Sequence, residues 1–253
     1  MNNFKDRKAD IELVYKVTDG LNLPIQVFLP DCNIHKSRTI LAIHGGGWND
    51  AVIDNSQWNG GWMGNNAKYF AERGYIGVAI SYRSLKISDK LNVGELLDDC
   101  IDAVKYIKKH LKFINFDDII YIGDSAGGYL VTMLGLSQDD EIRPNSVIAL
   151  NPVLGGLDTK WKYGFKNCDN IDRLVPKNNI GKKCAEFLFV HGTADATVEI
   201  EYTEELHNLL LKHGHKSELI KIPEAQHAFI LYDYKYPDDY VNDIMEKLIA
   251  KIR

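Results

Sequence analysis

Apolar residues recur along this chain at two spacings, and the two spacings alternate. Short runs dominated by Ile, Val, Leu and Tyr read as strands: Ile11 to Val17, Leu23 to Leu29, Thr39 to Ile43, Tyr75 to Ser81, Ile119 to Ile122, Ser146 to Asn151, Glu186 to Val190 and Glu218 to Ile222. Between them lie stretches with apolar residues at helical spacing. The clearest is Val93 to Leu111, where Leu96, Leu97, Ile101, Val104 and Ile107 share a face. Ala67 to Arg73 reads as a helix stopped by Gly74, Tyr129 to Leu134 as one opened by glycines, Glu201 to His213 as one stopped by Gly214, and Tyr240 to Arg253 as a terminal helix. The first two strands flank Asp19-Gly20 and read as an antiparallel hairpin. From residue 39 onward, strand and helix alternate, which calls for a mostly parallel sheet covered by helices on both faces.

No repeat, low-complexity tract or interdomain linker interrupts this pattern, so residues 1–253 read as one α/β domain. The stretch Leu154 to Lys183, carrying Trp161, Tyr163 and Phe165, has no clear regular pattern. It reads as a short lid or as a long surface loop.

Composition narrows the function classes. A net charge of -5, from 30 basic and 35 acidic residues, provides no basic face for nucleic acid. Met1 to Asp6 lacks the apolar stretch of a signal peptide, and no run approaches membrane-spanning length, so a cytoplasmic protein without a membrane partner is expected. Cys32, Cys100, Cys168 and Cys184 are scattered without metal-ligand spacing, and the eight histidines form no ligand cluster. Neither a metal nor a cofactor is expected. A homodimer is the base-rate expectation for assembly.

The candidate chemistry centres on residues 123–128, Gly-Asp-Ser-Ala-Gly-Gly, between an apolar strand and a helix. Glycines at 123 and 127 permit a sharp strand-to-helix turn that holds Ser125 out at the strand's carboxyl end. The bland alternative is a glycine-rich helix start with an incidental serine. A serine hydroxyl needs a base, and the base needs an orienting acid. In a doubly wound sheet both should follow strands, in the order acid then histidine. Asp195 follows the strand ending at Val190, and His227 follows the strand ending at Ile222. Asp124 should point away from the base, Asp98, Asp99 and Asp102 read as surface or packing residues, and His191 reads as a loop brace. The run His44-Gly45-Gly46-Gly47-Trp48 follows the third strand, where Gly46 and Gly47 can aim amides at an oxyanion alongside the Ala126 amide.

His44 to Trp48 and residues 123–128 together resemble the α/β-hydrolase superfamily, and within it the hormone-sensitive-lipase-like esterases. Ser81-Tyr82-Arg83 resembles a recurring segment after the fourth strand. The resemblance runs from about residue 12 to the end. Few residues precede the first strand, so the chain looks like the small bacterial esterases that remove acetyl or feruloyl groups rather than the capped members. Ala228 stands where many relatives carry glycine. The segment Asn49 to Asn66 is longer than expected, and Trp48, Trp58, Trp62 and Trp161 are candidate substrate contacts, though core burial explains such aromatics about as well. The resemblance implies a serine carboxylesterase acting on a small-molecule ester, with an acetyl ester of a sugar or short alcohol favoured. An amide hydrolase such as an arylformamidase is the second reading. A prolyl-oligopeptidase-type aminopeptidase fits less well, because its usual extra domain is missing. A non-catalytic ligand-binding protein on the same scaffold is the remaining reading, and the presence of serine, acid and histidine argues against it.

Overall fold

In the computed structural model, residues 4–30, 38–49, 61–155 and 158–251 are described. β1 (Ile11–Thr18) and β2 (Leu21–Phe28) pair antiparallel, with Thr18 opposite Leu21. The two-residue connection places Asp19 at φ 52° and Gly20 at φ 74°. Two successive left-handed residues suit the right-handed twist of a hairpin, and Asp-Gly accepts that conformation readily.

The remaining strands are β3 (Thr39–Ile43), β4 (Ile76–Ile80), β5 (Ile119–Asp124), β6 (Ser146–Leu150), β7 (Glu186–Gly192) and β8 (Ser217–Ile222). They assemble in the order β1-β2-β4-β3-β5-β6-β7-β8. β2 meets β4 antiparallel, and every pair from β4 to β8 is parallel. The central strands are apolar without alternation because helices cover both faces. Ile120 and Ile122 face α1 (Gly61–Glu72) and α5 (Asp238–Lys251). Tyr121 faces the side packed by α2 (Val93–His110), α3 (Ser125–Gly135) and α4 (Ile200–Lys212).

The observed helices differ from the sequence pattern mainly at their starts. α1 begins at Gly61, six residues before the expected Ala67, through glycines and asparagines of low helix propensity. Burial of Met63, Ala67, Phe70 and Ala71 outweighs that propensity. The helix stops where Gly74 takes φ 90°, a left-handed residue closing the last turn. Residues 158–183 contain three short 3-10 turns, Lys160–Phe165, Ile171–Leu174 and Pro176–Asn179. They pack against the helical face: Trp161, Phe165 and Leu174 are buried, and the Tyr129 hydroxyl donates to the Leu174 carbonyl at 2.7 Å.

Candidate active site

The junction of β5 and α3 leaves no room for a side chain on its glycines. A Cβ on Gly127 would overlap the carbonyl oxygens of Ile43 and His44, and one on Gly123 would overlap the Gly127 carbonyl. Close approach of helix to strand therefore requires glycine at both positions. Ser125 sits at the apex with φ 51°, a conformation that costs a non-glycine residue about 1–3 kcal/mol. Its hydroxyl donates to His227 Nε2 at 2.9 Å. Nδ1 of His227 donates to Asp195 Oδ2 at 2.7 Å. An ionised carboxylate can only accept, so this second bond fixes the proton on Nδ1 and leaves Nε2 as the acceptor. The structure thus brings together Ser125, His227 and Asp195, from the loops after β5, β8 and β7.

Asp195 is held from several directions. Its Oδ1 accepts the amides of Thr197 and Val198 at 2.8 and 2.9 Å. Its Oδ2 also lies 3.4 Å from Nε2 of His191, a fully buried residue that contacts Thr203 Oγ1 at 3.0 Å and the Val198 carbonyl at 3.1 Å. Burial pushes the Asp195 carboxyl upward, but hydrogen bonds from His191 and His227 outweigh it and hold the group well below the usual carboxylate range. His191 is more than a loop brace, since it also touches the acid. Its signal in the sequence was only its place four residues upstream.

Asp124, next to the serine, accepts the Gly45 amide at 2.9 Å through Oδ1. It begins α3 without capping it. Burial pushes its pKa up to about 6, against the opposing effects of His227 and the Gly45 amide.

The turn after β3 is anchored on several sides. Gly46, Gly47 and Trp48 all have left-handed φ, at 92°, 57° and 60°, and the Asn49 amide closes the turn onto the Gly46 carbonyl at 3.0 Å. The Tyr82 hydroxyl reaches the carbonyls of His44 and Gly45 at 2.8 and 3.1 Å, and its ring stacks on His44. His44 Nε2 lies 3.0 Å from the Ser81 hydroxyl. The Tyr163 hydroxyl donates to the Gly47 carbonyl at 2.6 Å. In the sequence Tyr82 stands out only as part of the Ser81-Tyr82-Arg83 segment and Tyr163 only as one aromatic of the stretch after β6; neither points to these contacts. Because Gly127 backs onto Ile43 and His44, this turn and the Ala126 amide lie at the same end of the sheet.

The aromatic candidates divide. Trp48, expected as a substrate contact, is fully buried: its Nε1 donates to the Ala126 carbonyl at 3.2 Å and its ring meets Tyr129 edge-on. It braces the turn against α3 instead of facing a ligand. Trp161 packs edge-to-face on Trp48 at 5.9 Å, and its buried Nε1 has no hydrogen-bond partner among the described residues. Trp58 lies outside the described residues, as does the side chain of Trp62. Ala228, beside the histidine, has φ 62°, which accounts for the glycine expected there. Among the described residues no group of His, Cys, Asp or Glu could hold a metal ion, and no helix is long and apolar enough to cross a membrane.

Residues 25–161 match the BD-FAE family. The chain belongs to the BD-FAE family. Like the resemblance noted in the sequence, this places it among hydrolases of the hormone-sensitive-lipase-like type. Among curated proteins it is 32% identical over 119 residues to the carboxylesterase/phospholipase LipF of Mycobacterium tuberculosis, covering 46% of this chain and 29% of LipF. It is 24% identical over 247 residues to a probable dipeptidyl-peptidase 5 of Aspergillus clavatus, covering 87% of this chain. It is also 26% identical over 216 residues to human dipeptidyl peptidase 8, covering 76% of this chain. The BD-FAE chain spans a third or less of these relatives, 33% and 23% of the two peptidases. Esterase 2 of Thermogutta terrifontis superimposes with a TM-score of 0.79 at 22% identity, covering 96% of this chain and 90% of that one. The same enzyme phosphonylated by sarin gives 0.80. The fold is the α/β-hydrolase fold.

Proposed function

We propose that this protein is a serine hydrolase of carboxylic esters in which Ser125 attacks the carbonyl carbon. His227 Nε2 takes the serine proton, and the charge formed on its ring is balanced by Asp195, which also fixes the ring's orientation. The amides of Gly46, Gly47 and Ala126 receive the oxyanion. Collapse of the tetrahedral intermediate expels the alcohol, which takes its proton from His227. Water, activated by the same histidine, then releases the acid from Ser125. The observation that carries this reading is the continuous chain Ser125 Oγ, His227, Asp195, with links of 2.9 and 2.7 Å. The favoured substrate is a short-chain ester, with acetyl on a sugar or small alcohol preferred. That preference is supported by the family's likeness to small bacterial esterases.

A second reading is hydrolysis of an amide, as in an arylformamidase or a dipeptidyl peptidase. It is favoured by the alignment with two dipeptidyl peptidases over 87% and 76% of this chain. Amide cleavage would use the same residues, with His227 protonating a leaving amine.

Purified protein should hydrolyse p-nitrophenyl acetate, and Ser125→Ala should lower kcat by roughly 10⁴-fold or more. Equal turnover by the alanine variant rejects Ser125 as nucleophile. Comparing kcat/KM for acetylated sugars, p-nitrophenyl esters of rising acyl length, N-formylkynurenine and a dipeptidyl p-nitroanilide decides between ester and amide.

A further inference from the structure

We propose that Tyr163 is a positioning residue for the oxyanion turn, acting through the carbonyl oxygen of Gly47. The inference rests on the serine-hydrolase reading above. It starts from a weakness of the turn itself. Gly46, Gly47 and Trp48 are successive residues with left-handed φ of 92°, 57° and 60°. Glycine reaches this conformation at little cost and leaves it as easily. An amide that must meet an oxyanion within a few tenths of an ångström cannot rely on such a backbone alone.

Two peptide planes set the direction of the Gly47 amide. The plane joining Gly46 to Gly47 carries that N–H, and the Asn49 amide fixes it by bonding the Gly46 carbonyl at 3.0 Å. The plane joining Gly47 to Trp48 carries the Gly47 carbonyl, and the Tyr163 hydroxyl fixes that one at 2.6 Å. With both planes held, the φ and ψ of Gly47 between them are held too. Other anchors end on neighbours: Asp124 on the Gly45 amide, Tyr82 on the His44 and Gly45 carbonyls, and the Leu85 amide on the Trp48 carbonyl at 2.9 Å.

Tyr163 is itself well placed to hold a position. Its ring lies 6.1 Å from Trp48 and 6.2 Å from Trp161, centroid to centroid. The 3-10 turn Lys160–Phe165 that carries it is capped by the Thr159 hydroxyl on the Trp161 amide at 3.2 Å. Gly164 in the same turn packs so closely on Trp48 and Val93 that a Cβ there would stand 2.7 Å from each. The segment after β6 thereby becomes part of the oxyanion apparatus, although residue 163 lies just beyond the stretch that matches the family, 25–161.

Tyr163→Phe removes one oxygen and keeps the ring. With p-nitrophenyl acetate, and rates divided by titrated active sites, kcat should fall roughly tenfold while KM stays within about twofold, the size of effect a single hydrogen bond carries. Affinity for an aryl trifluoromethyl ketone should fall by a similar factor. In that adduct Ser125 Oγ bonds to the ketone carbon, its proton passes to His227, and the carbonyl electron pair becomes an oxyanion in the same hole. Lys162→Ala, an exposed change in the same turn, should leave both quantities unchanged. Unchanged kcat in Tyr163→Phe, a loss confined to KM with ketone affinity intact, or an equal loss in Lys162→Ala overturns the inference. A wild-type protein inactive on every ester overturns the hydrolase reading and this inference with it. An active wild type matched by Tyr163→Phe overturns the inference alone.

Discussion

Asp124 and Asp195 are both buried carboxylic acids beside the same histidine, yet their surroundings push them in opposite directions. Asp195 has two backbone amides and two histidines around it, enough to keep it ionised despite burial. Asp124 has the Gly45 amide to set against complete burial, and its pKa is pushed up to about 6. The sign of the stability effect follows from the proton count. Below the unfolded value near 3.8 both states bind the proton and Asp124 contributes nothing. Between there and about 6 the native state holds the proton more tightly, so stability falls as pH rises. Above that, the full cost of an ionised buried acid, roughly 3 kcal/mol, weighs on the fold. Asp124→Asn keeps an oxygen for the Gly45 amide and removes the charge. It should therefore raise stability by about 3 kcal/mol at pH 7.5 and by about 1 kcal/mol at pH 4.5, read from urea midpoints at both. Equal effects at the two pH values would reject the account. The positions of Ser125, Asp195 and His227 could be read from the sequence because each lies at a strand end. The contrast between Asp124 and Asp195 could not, because it depends on which amides each oxygen meets across the sheet.

The element that sets the site is the β5–α3 junction, and its requirement is steric. Helix α3 lies so close to β3 that Gly127 has carbonyl oxygens of Ile43 and His44 where a methyl would go. Gly127→Ala should therefore destabilise the protein by about 3 kcal/mol, because neither neighbour is a side chain that can swing aside. Since the displaced helix carries Ser125 and the Ala126 amide, the folded fraction should also lose activity. Denaturant midpoints and kcat per titrated site measure the two effects, and a variant with both intact would show that the close packing is dispensable. This junction was legible because glycine spacing, an apolar strand and an apolar helix are local signals. Helix α2 was legible from its apolar spacing; the box that opens it, with Asn92 accepting the Gly94 amide at 2.8 Å and Glu95 accepting the Asn92 amide at 2.8 Å, is seen in the structure. The start of α1 was not, since Gly61, Gly64, Asn65 and Asn66 argue locally against a helix that tertiary burial imposes. Nor were the 3-10 turns after β6, whose order comes from aromatic packing on Trp48, Tyr129 and the helices beneath.

At the scale of the molecule, the parallel order of the strands gathers Ser125, Asp195 and His227 at one end, and distant segments are then tied behind them. Asp99 is the main knot. On sequence it read as a surface or packing residue of α2, because an aspartate among Asp98, Asp99 and Asp102 gives no sign of which one faces inward. In the structure it is fully buried and binds Lys16 of β1 at 2.7 Å. It also binds the Arg83 side chain at 2.8 and 3.0 Å and the Arg83 amide at 3.1 Å. Arg83 directly follows Ser81 and Tyr82, which hold His44 and Gly45 at the start of the turn after β3. One carboxylate thus joins the edge hairpin, helix α2 and the segment behind the site. Removing one partner of a buried ionic cluster costs several kcal/mol, because the charges left behind lose their compensation. Two residual pairs soften that cost here: Lys16 keeps Asp102 at 2.7 Å and Arg83 keeps Asp19 at 2.9 Å. Asp99→Ala should accordingly lose about 3 kcal/mol by urea denaturation, with kcat falling severalfold at constant KM as the Arg83 segment loosens behind the turn. Asp99→Asn, which retains an acceptor for the Arg83 amide, should lose stability but keep most of its kcat. If the alanine variant matched wild type in stability, the cluster would be one whose desolvation cancels its attraction, and Asp99 would have no claim as the tie between sheet edge and site.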